Sequence, residues 1–124
     1  KYPSIRAIYR ELRKIYFYED DTYLIRPARS AGEIVREGRL LHHCVGGDNY
    51  LGKHNRRESY ILMLRFKDKA EEPYITVEIS SNNPKIRQWY GTNDRKPDAK
   101  NMQKWLNDYL KQLKEKREML AKTA

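Results

Sequence analysis

Three side chains able to do chemistry stand together in His42-His43-Cys44, inside an apolar run, Leu40-Leu41 to Val45, that Gly46 and Gly47 close. An imidazole exchanges protons near neutral pH, and a thiol can act as a nucleophile. A buried imidazole also needs hydrogen-bond partners. Read as an extended segment, the run puts His42 and Cys44 on one face and Leu41, His43 and Val45 on the other. Which histidine faces inward stays open at this stage. A carboxylate is offered downstream. In Pro73-Tyr74-Ile75-Thr76-Val77-Glu78-Ile79, alternation places Thr76 and Glu78 on one face and Ile75, Val77 and Ile79 on the other. Ile86 and Gln88 share a face of the next strand, and Arg65 lies near the end of the preceding one. Side chains on one face of adjacent antiparallel strands come within reach of each other. We therefore expect His42 or His43, Cys44, Arg65, Thr76, Glu78, Gln88 and Asn93 to converge on one polar pocket. The catalytic candidates in it are His42, His43, Cys44 and Glu78. The competing reading is the solvent face of a half-exposed sheet, which would carry the same Thr, Glu and Gln row.

The elements that must hold these residues are readable. Residues 3–18 form an amphipathic helix with Pro3 in its first turn, and Glu19-Asp20-Asp21 turns the chain into a short strand, 22–26. Ser30 and Glu33 fit a capping box opening a helix through Glu37, with Gly38 as its stop. Residues 46–58, polar and containing three glycines, read as a loop with room for one helical turn. Three strands follow, at 59–66, 73–79 and 86–90, joined by turns short enough for antiparallel hairpins. After a second loop at 91–96, Pro97 opens a long helix with Met102, Trp105, Leu106, Tyr109, Leu110 and Leu113 on one stripe. The expected fold is α+β: a central antiparallel sheet of three to five strands, an N-terminal helix and a long C-terminal helix packed on it.

Other chemistries fit less well. His42, Cys44 and His54 are possible metal ligands but lack the paired spacing of small zinc sites, so no metal is assigned. Cys44 and its neighbouring histidines diverge on a strand and cannot pair as nucleophile and base. No glycine-rich phosphate loop occurs.

With 124 residues the chain makes one domain, and it starts at Lys1 rather than methionine, as a fragment of a longer protein would. One cysteine excludes an internal disulfide and suits a reducing, cytoplasmic location. No apolar run is long enough to span a bilayer and no signal peptide is recognisable, so no membrane partner is expected. A mean hydropathy of −1.00 is offset by ten tyrosines, which bury area while keeping a polar tip. The net charge of +9 favours polyanions. Lys100, Lys104, Lys111, Lys114 and Arg117, off the apolar stripe of the last helix, are the candidate nucleic-acid contacts, with Arg6, Arg10, Arg13 and Lys14 adding to them.

Glu37-Gly38 followed by Leu41-His42-His43-Cys44-Val45-Gly46 resembles the signature of PcfJ-like proteins, which occur on conjugative plasmids, phages and other mobile elements. The likeness continues through the strand ending at Arg65, Pro73-Tyr74-x-Thr76-x-Glu78, Ile86-x-Gln88, Gly91 and Asn93, and so spans residues 37–93. In that family a tyrosine follows Val-Gly almost directly, whereas here Gly47-Asp48-Asn49 precede Tyr50. This likeness names relatives and no reaction. A second one bears on the reaction: Tyr23-Leu24-Ile25-Arg26, then a helix ending at Glu37-Gly38, is similar to the opening of the ADP-ribosyltransferase fold. It implies Arg26 as a dinucleotide-holding residue, Ser59 or Tyr60 in the following position, and Glu78 steadying an oxocarbenium-like centre of NAD. Substrate-binding candidates are then Arg26, Tyr60, Arg65, Thr76, Gln88 and Asn93, with NAD as substrate and no other cofactor implied. The alternative function class is a non-catalytic, basic nucleic-acid-binding module of conjugation or phage machinery.

Overall fold

A computed structural model describes residues 1–123. Its centre is a five-stranded antiparallel meander, β1 (Tyr18–Glu19), β2 (Tyr23–Pro27), β3 (Ser59–Phe66), β4 (Ile75–Ser80) and β5 (Ile86–Tyr90), in that spatial order. Helix α1 (Pro3–Tyr16) precedes it, α2 (Ala31–Leu41) and α3 (Asp48–Asn55) sit between β2 and β3, and α4 (Ala99–Thr123) follows. The α+β expectation holds.

Strand β3 is central and almost wholly buried because both faces of the sheet are covered. On one face Ile25, Leu62, Leu64, Ile75, Val77 and Trp89 pack with α1 and with the stripe Met102, Leu106, Tyr109 and Leu113 of α4. On the other, Ile61 and Met63 meet Ile34 of α2, Leu51 of α3 and Val45 between those helices. Trp105 Nε1 donates to Asp20 Oδ2 at 2.7 Å, tying α4 to the turn before β2.

Several local expectations are revised. Helix α2 does not stop at Gly38. It continues to Leu41, and His42, at φ 55° and ψ 50°, takes the left-handed cap. Gly38 is there for space: a Cβ would lie 2.9 Å from Gly46 N and 3.0 Å from His43 O. The run after His42 is therefore no strand but a 3-10 turn, Cys44–Gly46, folded back on α2. Ser30 Oγ does accept from Glu33 N–H, and the Glu33 carboxylate reaches back, but to the Arg29 N–H and the Arg26 guanidinium instead of the Ser30 N–H. Residues 48–55 form two helical turns instead of a loop, held by burial of Leu51, Gly52 and His54. Finally, Glu78 pairs with Gln88 while Ile79 pairs with Ile86. Arg87 is thus an extra, bulged residue, and Ile86 joins the α4-side core rather than sharing the face of Gln88.

Candidate functional site

The second face of the sheet carries a row of polar side chains that α2 and α3 cover only in part. Thr76 and Glu78 of β4 point there by alternation. The bulge at Arg87 brings Gln88 of β5 opposite Glu78, and Tyr90 stands opposite Thr76. Above them, the 3-10 turn supplies His43, Cys44 and Val45, α3 supplies Tyr50, and the loop after β5 supplies Asp94. Together with Ile61 these enclose a cleft of about 450 Å³.

Its floor carries two separate hydrogen-bond networks. Glu78 accepts from Ser59 Oγ at 2.7 Å and from Gln88 Nε2 at 2.9 Å, and Gln88 also reaches Tyr50 OH at 3.0 Å. Arg87 approaches Glu78 to 3.9 Å from the rim. At the other end, His43 Nε2 lies 2.9 Å from Thr76 Oγ1, which donates to Glu37 Oε2 at 2.8 Å. Arg65 NH1 donates to the same oxygen at 2.9 Å and its NH2 to Glu37 Oε1. Both Glu37 and Arg65 are 1% exposed; the Glu37 carboxylate is satisfied by Arg65 and Thr76, while Arg65 Nε is left without a partner among the described residues. A carboxylate held rigidly by two donors, beside an imidazole held by a hydroxyl, can stabilise developing positive charge and move a proton.

The expected residues divide cleanly. His43, Cys44, Thr76, Glu78 and Gln88 meet at the cleft, and Cys44 is exposed there. Arg65 stands behind it, bound to Glu37, and does not line it. His42 is displaced to the surface because it is the cap of α2. Arg26 is closed off by a two-pronged pair with Glu33, 2.8 Å on each arm, so it is no free anion holder. Tyr60 faces the opposite side, edge-on to Tyr16 in the α4-side core. Asn93 is exposed in a left-handed conformation at φ 54°, and its neighbour Asp94 takes the place at the rim. Lys100, Lys104, Lys111 and Lys114 are exposed along α4. Arg117 is not a free cation of that face: it is half-buried and donates to Ser81 O at 2.7 Å and Tyr16 OH at 3.3 Å.

His54 is away from the cleft and wholly buried, its Nδ1 accepting from Ile61 N–H at 3.0 Å, and burial pulls its pKa down to about 4. Burial alone would raise the Glu33 carboxyl, but the hydrogen bonds from Arg26 and from the Arg29 N–H outweigh it and hold it below the usual range. Among the described residues no three His, Cys, Asp or Glu side chains group as metal ligands, and no helix is long and apolar enough to cross a membrane.

Sequence reasoning missed Glu37, Tyr90 and Asp94. For Glu37 the signal was present: a carboxylate on the same stripe of α2 as Ile34, Gly38 and Leu41, all buried, marks a helix face that must meet a cation. Tyr90 has the alternation of Gln88. Asp94 had no signal, since loop geometry alone aims it.

No solved structure matches the chain. The uncharacterized protein Lin1253/Lin1744 of Listeria innocua serovar 6a is 30% identical over 100 residues, which are 81% of this chain and 21% of that relative. The chain thus spans about a fifth of the length of the curated relative it matches. A family model described as PcfJ-like protein matches residues 6–106. That stretch holds the whole sheet and every residue of the cleft, and the chain belongs to the PcfJ-like family.

Proposed function

We propose that the cleft is the active site of an enzyme that transfers or hydrolyses the ADP-ribosyl group of NAD. The observation that supports this reading is the setting of Glu78, fixed by Ser59 and Gln88 in a cleft that Tyr50 and Tyr90 also line. Breaking a ribosyl–nitrogen bond develops positive charge on the sugar carbon, which a carboxylate already in place stabilises without reorganising. The tyrosines offer faces for an electron-poor ring. Two carboxylates, Glu78 and Asp94, and no Lys or Arg stand among the residues lining the cleft, a balance suited to nicotinamide rather than to a free phosphate. With Arg26 closed off by Glu33, the cations near the cleft for the diphosphate are the half-exposed Arg87 beside Glu78, Lys53 over the Tyr50 ring and Lys96 over the Tyr90 ring. The resemblance to mobile-element proteins supports a setting of that kind, and the single cysteine a reducing, cytoplasmic one. Titrating NAD into the ¹⁵N-labelled protein should move the Gln88 side-chain amide and the backbone signals of Cys44, Tyr50 and Tyr90. No movement at millimolar NAD would end the proposal.

A second reading has its own observation. Lys100, Lys104, Lys111 and Lys114 form an exposed basic face on α4 with no part in the core, which supports sequence-independent contact with phosphate backbones. Salt-sensitive retardation of duplex DNA measures it.

A further inference from the structure

Of the two buried carboxylates on the cleft side of the sheet, Glu37 does not line the cleft. A carboxylate 1% exposed costs several kcal/mol unless it is paired and hydrogen-bonded. Arg65 supplies the pairing with two N–H groups. The third contact goes further: Thr76 Oγ1 donates to Glu37 Oε2 at 2.8 Å. A hydroxyl has one proton to give. Having given it to Glu37, Thr76 can only accept at its 2.9 Å contact with His43 Nε2. His43 therefore carries its proton on Nε2, and the lone pair sits on Nδ1. Among the described residues Nδ1 meets only the Val45 N–H, at a long 3.5 Å, a contact weak enough to yield to a substrate.

We infer that Glu37 and Thr76 are positioning residues that hold His43 as the proton acceptor of the cleft, acting through Nδ1. The substrate in this inference rests on the NAD reading above; the placement of the proton does not. In the reaction, an acceptor or water O–H gives its proton to His43 Nδ1 while its oxygen bonds the sugar carbon. The bond from that carbon to nicotinamide nitrogen breaks, its electron pair leaves with nicotinamide, and the positive charge of that ring ends as imidazolium on His43. Thr76 keeps accepting from Nε2–H throughout, with the Glu37 carboxylate one bond further on. The charged groups on this side of the sheet are Glu37 from α2, Arg65 from β3, Glu78 from β4 and Asp94 from the rim, with Arg87 beside Glu78 and Lys53 and Lys96 against the Tyr50 and Tyr90 rings. Glu37 is the anion that hydrogen bonds link to the ring, through Thr76. It is the logic of a carboxylate orienting a histidine, with a threonine between them.

Long-range ¹H–¹⁵N spectra of the labelled protein in mildly alkaline buffer test the arrangement without any substrate. His43 should show one tautomer, protonated at Nε2, with that proton protected from solvent exchange. Thr76→Ser keeps the hydroxyl and should keep the protected proton. Thr76→Val, close to isosteric, should lose it, and should lower kcat about tenfold or more with KM changed less than about twofold. A wild-type ring protonated at Nδ1, an unprotected Nε2 proton, or a protected one surviving in Thr76→Val would each overturn the inference. A protected Nε2 proton in a protein that never turns over NAD would overturn the substrate reading alone.

Discussion

Glu37 and Arg65 stabilise this fold only as a pair. Arg65→Met leaves a buried carboxylate uncompensated and should lower the unfolding free energy by about 3–5 kcal/mol. Replacing Glu37 by Leu in the same protein should restore most of that loss. Urea denaturation checks both, and a single-variant loss under about 1 kcal/mol would contradict the pairing. His54 gives a pH signature of its own. Its folded pKa of about 4 lies below the ordinary 6.5, so between those values the unfolded chain takes up a proton that the folded chain refuses. Stability is full above the upper value and falls as pH drops through the window, by about 1.4 kcal/mol per unit. Glu33, held below its usual range, adds to acid loss only further down. In His54→Asn, whose Oδ1 can accept from Ile61 N–H, the dependence between about pH 7 and 5 should flatten; an unchanged slope would refute the assignment. At this scale Thr76 and Glu78 were legible because a period of two fixes a face. The Glu37 links were not, since its partners lie 28 and 39 residues away and nothing local connects them.

The elements were legible in proportion to how local their causes are. Strand β3 reads from its apolar run, α4 from its stripe and the start of α2 from Ser30. Helix α3 does not, because no side chain caps it; tertiary burial overrides a weak local preference. The bulge at Arg87 appears only when β4 is beside it, yet it decides which way Gln88 points. The turn holding His43 depends on two glycines, Gly38 of α2 and Gly46 of the turn, where a Cβ would lie 3.1 Å from Val35 Cα. Two substitutions in α2 separate propensity from space. At Gly32 a Cβ meets only Ser30 Oγ at 3.8 Å, so Gly32→Ala should stabilise by up to about 1 kcal/mol. At Gly38 the same Cβ strikes backbone of the turn at 2.9 and 3.0 Å. Gly38→Ala should therefore lose about 1–3 kcal/mol despite its better propensity, and should shift His43 with the turn. Thermal unfolding of both proteins checks the contrast, and equal gains would contradict it.

At the level of the whole molecule, the charge of +9 was plain from composition, but its distribution was not. Arg117, expected on the basic face, is engaged in fastening α4 to Ser81 and Tyr16, so it has no place in a charge-reversal test. Reversing Lys104, Lys111 and Lys114 to glutamate breaks the exposed Lys104–Asp108 pair at 3.3 Å and should cost about 1 kcal/mol of stability or less, while weakening duplex DNA binding. The log–log salt slope should flatten by about 0.9 for each phosphate that is no longer neutralised; mobility shifts identical to wild type would reduce the charge to solubility. The opposite side of the sheet holds the cleft, where the NAD reading proposed above is to be tested. Its test is the release of nicotinamide from NAD by the purified domain and by Glu78→Gln, followed by chromatography. Wild type should release it, and the variant should be slower by about a hundredfold or more, with its fold intact. No release by the wild type, or equal rates in the two proteins, would contradict Glu78 as the group that stabilises the sugar cation.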